Sequence, residues 1–165
     1  MESARPATLD DLAAVLALAR AGRSEQEGQR GGLLWSARDA RSEPLDAALV
    51  ALLDDPAAHV VTGSIDGVVV GYGIGLVELL RDGAVHGVVT DLHVDPEARG
   101  VGVGEAMLRL LVARLTAAGA TTIDAHALPG AREAKNFFEA QGFTARLIVM
   151  THAVTGDWPD PEVPA

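Results

Sequence analysis

The sequence contains no cysteine among its 165 residues. This absence excludes disulfides, thiolate nucleophiles and cysteine-based zinc sites. A metal would need ligands from histidine and carboxylate side chains, and the five histidines do not follow the H-E-x-x-H spacing of a helical zinc site. We therefore expect no metal in this protein.

The chain also lacks a long apolar run and a surplus of positive charge. No stretch approaches the ~20 apolar residues that a membrane-spanning helix needs, and the N-terminus does not have the basic and apolar pattern of a signal peptide. The formal net charge is −10, whereas proteins bind a phosphate backbone through Lys and Arg. We expect a cytoplasmic protein that binds neither a membrane nor a nucleic acid.

Helical periods are clear in the N-terminal third of the chain. Apolar residues recur at helical intervals from Thr8 to Gly22, after a very short strand, and again from Pro44 to Asp55. The segment between them, residues 22–43, is polar and has no clear period. It predicts a mobile loop.

Strand signals follow over residues 58–94, where two Asp-Gly turn dipeptides separate three β-rich runs. These runs predict three successive antiparallel strands. Helix, strand, helix and a last strand then alternate, as a parallel crossover requires. Because the length suits a single core, we predict one domain over residues 1–153 and an irregular, Pro-rich tail over residues 154–165.

The stretch LHVDPEARGVGVGEAMLRLL, residues 92–111, joins a strand end to a helix through alternate glycines. Unpaired backbone N–H groups and the helix dipole make a helix N-terminus an anion site, and glycine lets the anion approach closely. The segment therefore suits a phosphate or a pyrophosphate, although a tight turn alone would also use glycines.

Two known phosphate loops do not match this stretch. The nucleotide-triphosphate loop needs Lys and then Ser or Thr after its last glycine, and neither follows Gly104. The dinucleotide fingerprint has Glu105 in the place of its third glycine, although Asp124 is at a suitable distance to be its ribose carboxylate. A nicotinamide dinucleotide stays as an alternative ligand.

A third pattern, R/Q-x-x-G-x-G/A, matches Arg99 to Gly104. With its preceding strand it resembles the pyrophosphate loop of the GNAT superfamily, the acyl-CoA-dependent N-acetyltransferases. RPATLDDLAAV resembles the usual opening of that family, and AREAKNFFEAQGF, residues 131–143, is similar to its second cofactor motif. Elements occur in the family's order across residues 84–143, whereas residues 57–83 agree by element order only.

The resemblance implies a fold and a set of cofactor contacts. The fold is α/β, of the α+β kind, with a central, mixed, mostly antiparallel sheet flanked by about four helices. The cofactor is acetyl-CoA as a co-substrate, with its pantetheine arm along the strand and its pyrophosphate on the glycine loop. The implied contact residues are Leu92, His93, Val94, Arg99, Gly100, Val101, Gly102, Val103, Gly104, Ala134, Lys135 and Phe138.

The resemblance also implies transfer of an acetyl group to a primary amine of a small-molecule or peptide acceptor. Such a transfer needs a neutral amine, a donor for the carbonyl oxygen and an acid for the leaving thiolate. The family commonly supplies that acid from a Tyr where this chain has Phe138, and Ala131 stands where an Asn is frequent. Either another group or water protonates the thiolate, or catalysis is weak. The alternative function is a non-catalytic acyl-CoA-binding module.

Strand parity selects candidates for the base. Asp91 and His93 project from one face of their strand, and Asp124 and His126 share a face on the next strand. A carboxylate near a histidine in a cleft can serve as a base or a water relay, because histidine takes up a proton near neutral pH. We expect the catalytic residues to be Asp91, His126 and Glu78, the last of which lies late in the preceding strand.

The C-terminal part departs from the family pattern. Members often end with two strands and a hairpin after the G-F pair, whereas this chain has the pattern of one strand over residues 143–154, followed by the tail. A second subunit would supply the missing wall, so we expect a homodimer. We expect the acceptor between the 22–43 loop and the helix that begins at Pro44.

Overall fold

The computed structural model describes residues 1–154. Within this range the strands are β1 (Glu2–Pro6), β2 (Ala58–Ile65), β3 (Val68–Leu79), β4 (Val85–Val94) and β5 (Ala120–Ala125). They form one sheet in the order of the chain, with three antiparallel pairings and a parallel pairing between β4 and β5. The predicted mixed, mostly antiparallel sheet is confirmed.

Five α-helices accompany this sheet in the described part of the chain. They are α1 (Leu12–Glu27), α2 (Gly32–Arg38), α3 (Leu45–Asp54), α4 (Val103–Ala117) and α5 (Arg132–Ala140). α4 makes the crossover that connects the parallel strands β4 and β5. It stops before Gly119, whose φ of 100° lies in the left-handed region.

Apolar side chains form a cluster on each face of the sheet. On one face α4 inserts Met107, Leu111 and Leu115, each 0% exposed, against β2 and β4. On the other face α1 and α3 pack Val15 and Leu49 against β2 and β3. The sheet is therefore buried from both sides, which fixes the position of β4 and its neighbours.

The predicted loop over residues 22–43 is largely helical, so that prediction is wrong. α1 continues to Glu27, and α2 begins after Gly31, whose φ is 83°. Ser36 accepts a hydrogen bond from Arg23 Nε at 3.2 Å and donates one to Glu27 Oε1 at 2.5 Å. Polar side chains join the two helices here, and an apolar period could not have revealed them.

The predicted last strand is also wrong, because residues 143–154 contain no strand in the described structure. The apolar side chains of Leu147, Ile148, Val149 and Met150 are 70%, 75%, 69% and 85% exposed. Strand propensity depends on packing against neighbouring strands, and these side chains have little of it within the described residues. Residues 155–165 of the predicted tail lie outside the described residues.

None of the helices in residues 1–154 combines the length and the apolar composition that a membrane crossing requires.

Candidate functional site

The sheet opens between β4 and β5. The two strands pair from Val85, opposite Ala120, to Val89, opposite Ala125. The N–H of His126 donates a last hydrogen bond to the carbonyl of Val89 at 3.3 Å. β4 continues beyond that point to Val94, so its last residues have no partner strand on the β5 side within the described chain.

Backbone groups of β4 face this opening. The N–H of Asp95 donates to the carbonyl of Val70 on the β3 side at 2.8 Å. Because hydrogen-bonded positions alternate along an antiparallel pair, the N–H and C=O groups of Leu92 and Val94 point away from β3 and into the opening. They are placed to bind an extended ligand that lies along the strand.

The glycine segment forms the start of α4, as its pattern predicts. Gly100 and Gly102 have φ values of 82° and 92°, which other residues rarely adopt, and a Cβ at Gly100 would meet no atom within 4 Å. The backbone N–H of Ala106 donates to the carbonyl of Gly102, so the N–H groups of residues 103–105 have no partner inside the helix. No side chain caps this end within the described residues, and the free donors make it an anion site.

Arg99 lies between the opening and the glycine segment. Its Nε donates to the carbonyl of Val94 at 3.0 Å. Its Nη1 and Nη2 donate to the two carboxylate oxygens of Glu25 in α1, at 3.0 and 2.7 Å. This ion pair raises the pKa of Arg99 and lowers that of Glu25. Arg99 is the basic residue that immediately precedes Gly100 of the glycine segment.

The expected cofactor residues of α5 lie in different surroundings. Phe138 is 8% exposed and packs edge-on against Phe143, with ring centroids 5.5 Å apart. Lys135 is at the surface and pairs with Glu139 at 2.9 Å, and Ala134 is half-buried. Only Lys135 of this group carries a charge that a phosphate would attract.

A β-bulge lies where the sheet opens. Asp91 pairs with Ile74 and Val89 pairs with Gly75, which leaves Thr90 as an extra residue of β4. Bulges bend a strand, re-aim its side chains and are frequent next to active sites.

Three donors bind the carboxylate of Asp91 at this bulge. Arg41 Nη2 and Thr90 Oγ1 lie 2.5 and 2.7 Å from Oδ1, and Tyr72 Oη donates to Oδ2 at 3.1 Å. Burial, with the nearby charge of Asp91, raises the pKa of the Tyr72 hydroxyl well above its ordinary value. Tyr72 therefore keeps its proton and holds Asp91 in place together with Arg41.

Glu78 belongs to a second polar cluster on the same face of the sheet. Buried His86 pairs across the strands with Glu78, and its Nε2 lies 4.0 Å from Glu78 Oε1 and 3.1 Å from Asp124 Oδ2. The Nδ1 of His86 lies 2.7 Å from Thr122 Oγ1. Arg146 donates from Nε to Asp124 at 2.7 Å, and this bond, with the contact to His86, lowers the pKa of Asp124.

The structure thus places the three expected catalytic residues in separate surroundings. Asp91 is at the bulge, Glu78 is in the His86 cluster, and His126 follows β5 with an exposed side chain. No hydrogen bond or ion pair joins the three within residues 1–154. His93 is 9% exposed, and its ring meets Gly22 of α1. Its backbone N–H and C=O groups alternate with those of Leu92 and Val94 and face β3, so neither its ring nor these groups face the opening.

A family model settles the classification: the acetyltransferase (GNAT) family matches residues 27–143. The chain belongs to the GNAT acetyltransferase family. This membership makes the protein an acyltransferase, and it confirms the family that the glycine loop and the second motif had indicated.

GNAT proteins also appear among the solved structures of similar fold. A ribosomal-protein-alanine N-acetyltransferase from Brucella melitensis biovar Abortus 2308 has a TM-score of 0.69 at 18% identity, over 93% of this chain and 99% of that one. An aminoglycoside acetyltransferase from an uncultured soil metagenomic sample has 0.69 at 19%, over 93% and 95%. An acetyltransferase of Trypanosoma brucei has 0.65 at 21%, over 93% and 100%. At these identities the likeness shows the fold alone. No curated protein matches the sequence significantly.

The acyl-CoA of a GNAT enzyme fits the residues present here. The opening offers backbone groups of Leu92 and Val94 that have no partner strand, although Arg99 binds the carbonyl of Val94. The start of α4 offers free N–H donors and two glycines with positive φ. Carboxylates are also close, since the side chain of Glu2 lies against Gly102 and that of Glu25 binds Arg99. Within the described residues no group of three or more His, Asp or Glu side chains is arranged to hold a metal ion.

Sequence reasoning missed Arg41, Tyr72 and His86 in the site of this GNAT enzyme. Arg41 lies in the segment that the polar pattern predicted to be a loop. His86 belongs to no motif in the sequence, but a hairpin centred on Asp82 places residue 86 opposite residue 78. Counting equal numbers of residues on both sides of the turn therefore predicts the contact between His86 and Glu78.

Proposed function

We propose that this enzyme transfers an acetyl group from acetyl-CoA to a primary amine of a small-molecule or peptide acceptor by direct attack. The proposal rests on one observation, that the end of β4 without a partner strand is continuous with the glycine segment at the start of α4. The unpaired edge of β4 leads directly to Arg99 and to the uncapped start of α4, where Gly100 and Gly102 keep the approach open.

The chain's own groups have distinct tasks in this proposal. Leu92 and Val94 bind the pantetheine arm through their backbone, and residues 99–104 bind the pyrophosphate. Acetyl-CoA supplies the activated thioester. The Thr90 bulge turns backbone toward the place where the carbonyl oxygen comes to lie, where an N–H donor would stabilise developing negative charge.

A base must hold the acceptor amine in its neutral form, and the candidates remain Asp91, Glu78 and His126. The oxygens of Asp91 are already bound by Arg41, Thr90 and Tyr72, whereas the side chain of Glu78 is 56% exposed. A proton on the amine therefore reaches Glu78 or His126 through water more easily than it reaches Asp91.

Two alternative functions agree less well with the family and the fold. A non-catalytic acyl-CoA-binding module agrees with Phe138, which has no proton to give, but not with membership of an acyltransferase family. A nicotinamide dinucleotide requires the doubly wound parallel sheet of its fold, whereas β4 and β5 form the only parallel pair of the described sheet.

Binding is tested by the shift in unfolding temperature with acetyl-CoA, beside NAD and ATP. A ligand at 100 times its dissociation constant stabilises by about 2.7 kcal/mol, so acetyl-CoA alone should raise the unfolding temperature. Gly102→Glu should abolish the shift, because it adds bulk and negative charge at the start of α4.

Gly83→Glu is the matched control, since Gly83 also has a positive φ, 85°, and lies at the β3–β4 turn. It should unfold earlier than wild type but keep the full shift with acetyl-CoA. No shift for the wild-type protein at millimolar acetyl-CoA would reject the proposed cofactor.

Transfer is tested by thiol release from acetyl-CoA with a panel of amines. Saturable release that depends on the amine supports the enzyme, and binding without such release supports the module. The variants Glu78→Gln, His126→Gln and Asp91→Asn, each measured as a pH–rate profile, identify the base as the one whose loss removes the acidic limb.

A further inference from the structure

Each of the three guanidinium nitrogens of Arg99 donates a hydrogen bond within the protein, although Arg99 belongs to the loop that would bind a pyrophosphate. The carboxylate of Glu25 accepts hydrogen bonds from Nη1 and Nη2 of Arg99 as a bidentate pair, and the carbonyl of Val94 accepts one from Nε. Bidentate arginine–carboxylate pairs reproduce the geometry of an arginine–phosphate pair. Glu25 thus binds Arg99 in the bidentate manner that a phosphate could also use.

Close packing of α1 on β4 brings Glu25 to this position. A Cβ on Gly22 would lie only 3.0 Å from the His93 ring, so glycine lets the helix approach the strand. Glu25 is one turn further along α1, and its Oε2 lies 3.9 Å from His93 Nδ1. The carboxylate therefore reaches across the open edge of β4 to Arg99, which is 74 residues away in sequence.

We propose that Glu25 is a resident counter-ion that competes with the cofactor's pyrophosphate for Arg99 and is displaced when the cofactor binds. The inference rests on the proposed function, because it assigns the pyrophosphate to Arg99 and the glycine segment. It makes Glu25 a residue that sets cofactor affinity without touching the reacting atoms.

Charge and exposure support a displaceable pair. The side chains of Glu25 and Arg99 are 40% and 35% exposed, and exposed ion pairs contribute little to stability. Glu133, at the start of α5, lies 3.9 Å from Arg99 Nη1 and is 92% exposed. A pyrophosphate that entered with Glu25 in place would meet two carboxylates around one guanidinium, so like-charge repulsion favours departure of Glu25.

Displacement has a consequence for the acceptor side. Glu25 lies in the last turns of α1, immediately before α2, and α2 leads to Arg41 at the bulge. Release of Glu25 from Arg99 removes one link between this end of α1 and the residues after β4, and does so only when the cofactor is bound. The acceptor is then expected to bind second.

The test is isothermal titration of CoA into wild type, Glu25→Gln, Arg99→Gln and the double variant. Glu25→Gln should bind CoA about 5-fold more tightly than wild type, the upper range for loss of an exposed competing ion pair. In the Arg99→Gln background, where there is nothing to compete for, Glu25→Gln should change the affinity much less.

Two controls separate competition from a general charge effect. Glu27→Gln removes the same charge from the same helix, but Glu27 contacts Arg23 and Ser36 instead of Arg99, so its effect on CoA affinity should be small. Pantetheine has no pyrophosphate, so Glu25→Gln should leave its affinity unchanged.

The outcomes are distinct. Equal CoA affinities for Glu25→Gln and Glu27→Gln, or a gain that persists in full without Arg99, would overturn the competition while leaving CoA binding intact. Weaker binding by Glu25→Gln would show that Glu25 assists the cofactor and would also overturn it. Absence of CoA binding by all these proteins would overturn both this inference and the proposed function.

Discussion

The carboxylate of Asp11 is bound from two sides at the first turn of the N-terminal helical segment. Arg5 donates from Nη1 and Nη2 at 2.7 Å each, and the backbone N–H of Thr8 donates at 2.8 Å. These bonds, that to Arg5 above all, lower the pKa of Asp11 from 3.8 to about 2. The ionised form of this residue is thus favoured by folding.

We predict that Asp11 makes stability depend on pH in the acid range. Because its pKa is lower in the folded than in the unfolded chain, its contribution is complete above 3.8 and is lost as the pH falls toward about 2. Asp11→Asn should lower the free energy of unfolding by about 2 kcal/mol at neutral pH. Urea unfolding of wild type and Asp11→Asn should show that their difference in free energy of unfolding shrinks as the pH falls through the acid range. A difference that does not depend on pH would contradict this role of Asp11.

Tyr72 provides a second prediction at the scale of one side chain. It is 5% exposed, and its hydroxyl binds Asp91. Tyr72→Phe should cost about 1 kcal/mol of unfolding free energy, the usual value for a buried hydrogen bond. A double-mutant cycle with Asp91→Asn measures the coupling, and purely additive effects would mean that the bond contributes nothing.

Side chains of the site were predictable where strand parity alone decides their direction. Asp91 and His93 do share a face, because β4 keeps its alternation from the bulge to its end. Contacts that depend on distant elements were not predictable. Arg41 reaches Asp91 from a segment 50 residues away, and Arg99 meets Glu25 from α1, which no local pattern signals.

At the scale of elements, α4 approaches β2 closely at Gly63. A Cβ there would lie 2.5 Å from Val103 Cγ1 and 2.8 Å from Met107 Sδ. Both neighbours belong to the buried side of the helix. Because Gly63 has no side chain, α4 can pack closely against β2.

We predict that Gly63→Ala destabilises the fold by about 1–3 kcal/mol through overpacking. Gly28→Ala is a suitable control, because Gly28 follows α1 with an ordinary φ of −75° and its Cβ would have a 3.4 Å contact. Urea denaturation should show a large loss for the first variant and little change for the second. Equal losses would mean that the helix–sheet distance adjusts freely at Gly63.

Elements with a strong period or a defined turn were predictable from the sequence. The three antiparallel strands, α3, α4 and α5 occur where apolar spacing and glycine stops indicated them. α2 was not predictable, because its sequence GLLWSAR places Leu33 and Leu34 in solvent, 74% and 50% exposed. The segment after Phe143 has strand composition, but a composition does not provide a neighbouring strand.

At the scale of the whole molecule, the exposed segment Leu147–Met150 supports the expected homodimer. Contiguous exposed apolar side chains are typical of interaction surfaces. Arg146, immediately before them, is bound to Asp124 on β5, the last strand of the described sheet. A second copy would cover this segment at the edge of the sheet.

We predict a dimeric mass by sedimentation at micromolar concentration, and a monomeric mass for Ile148→Glu, which puts a charge into the apolar segment. Thr151→Glu adds the same charge beside it at an exposed polar position and should stay dimeric. A monomeric wild-type protein would contradict the expected homodimer.

The pairing of β1 with β2 sets an order of assembly for the chain. β2 and β3 are joined by two residues, whereas Glu2 meets Ile65 only after α1, α2 and α3 have been placed between them. Closing a long loop costs entropy before its contacts form. The hairpins of β2, β3 and β4 should therefore acquire protection from solvent exchange first in a pulsed hydrogen-labelling experiment, and β1 should join late. A newly made chain would then begin as a three-stranded meander and add β1 at the exposed edge of the sheet afterwards.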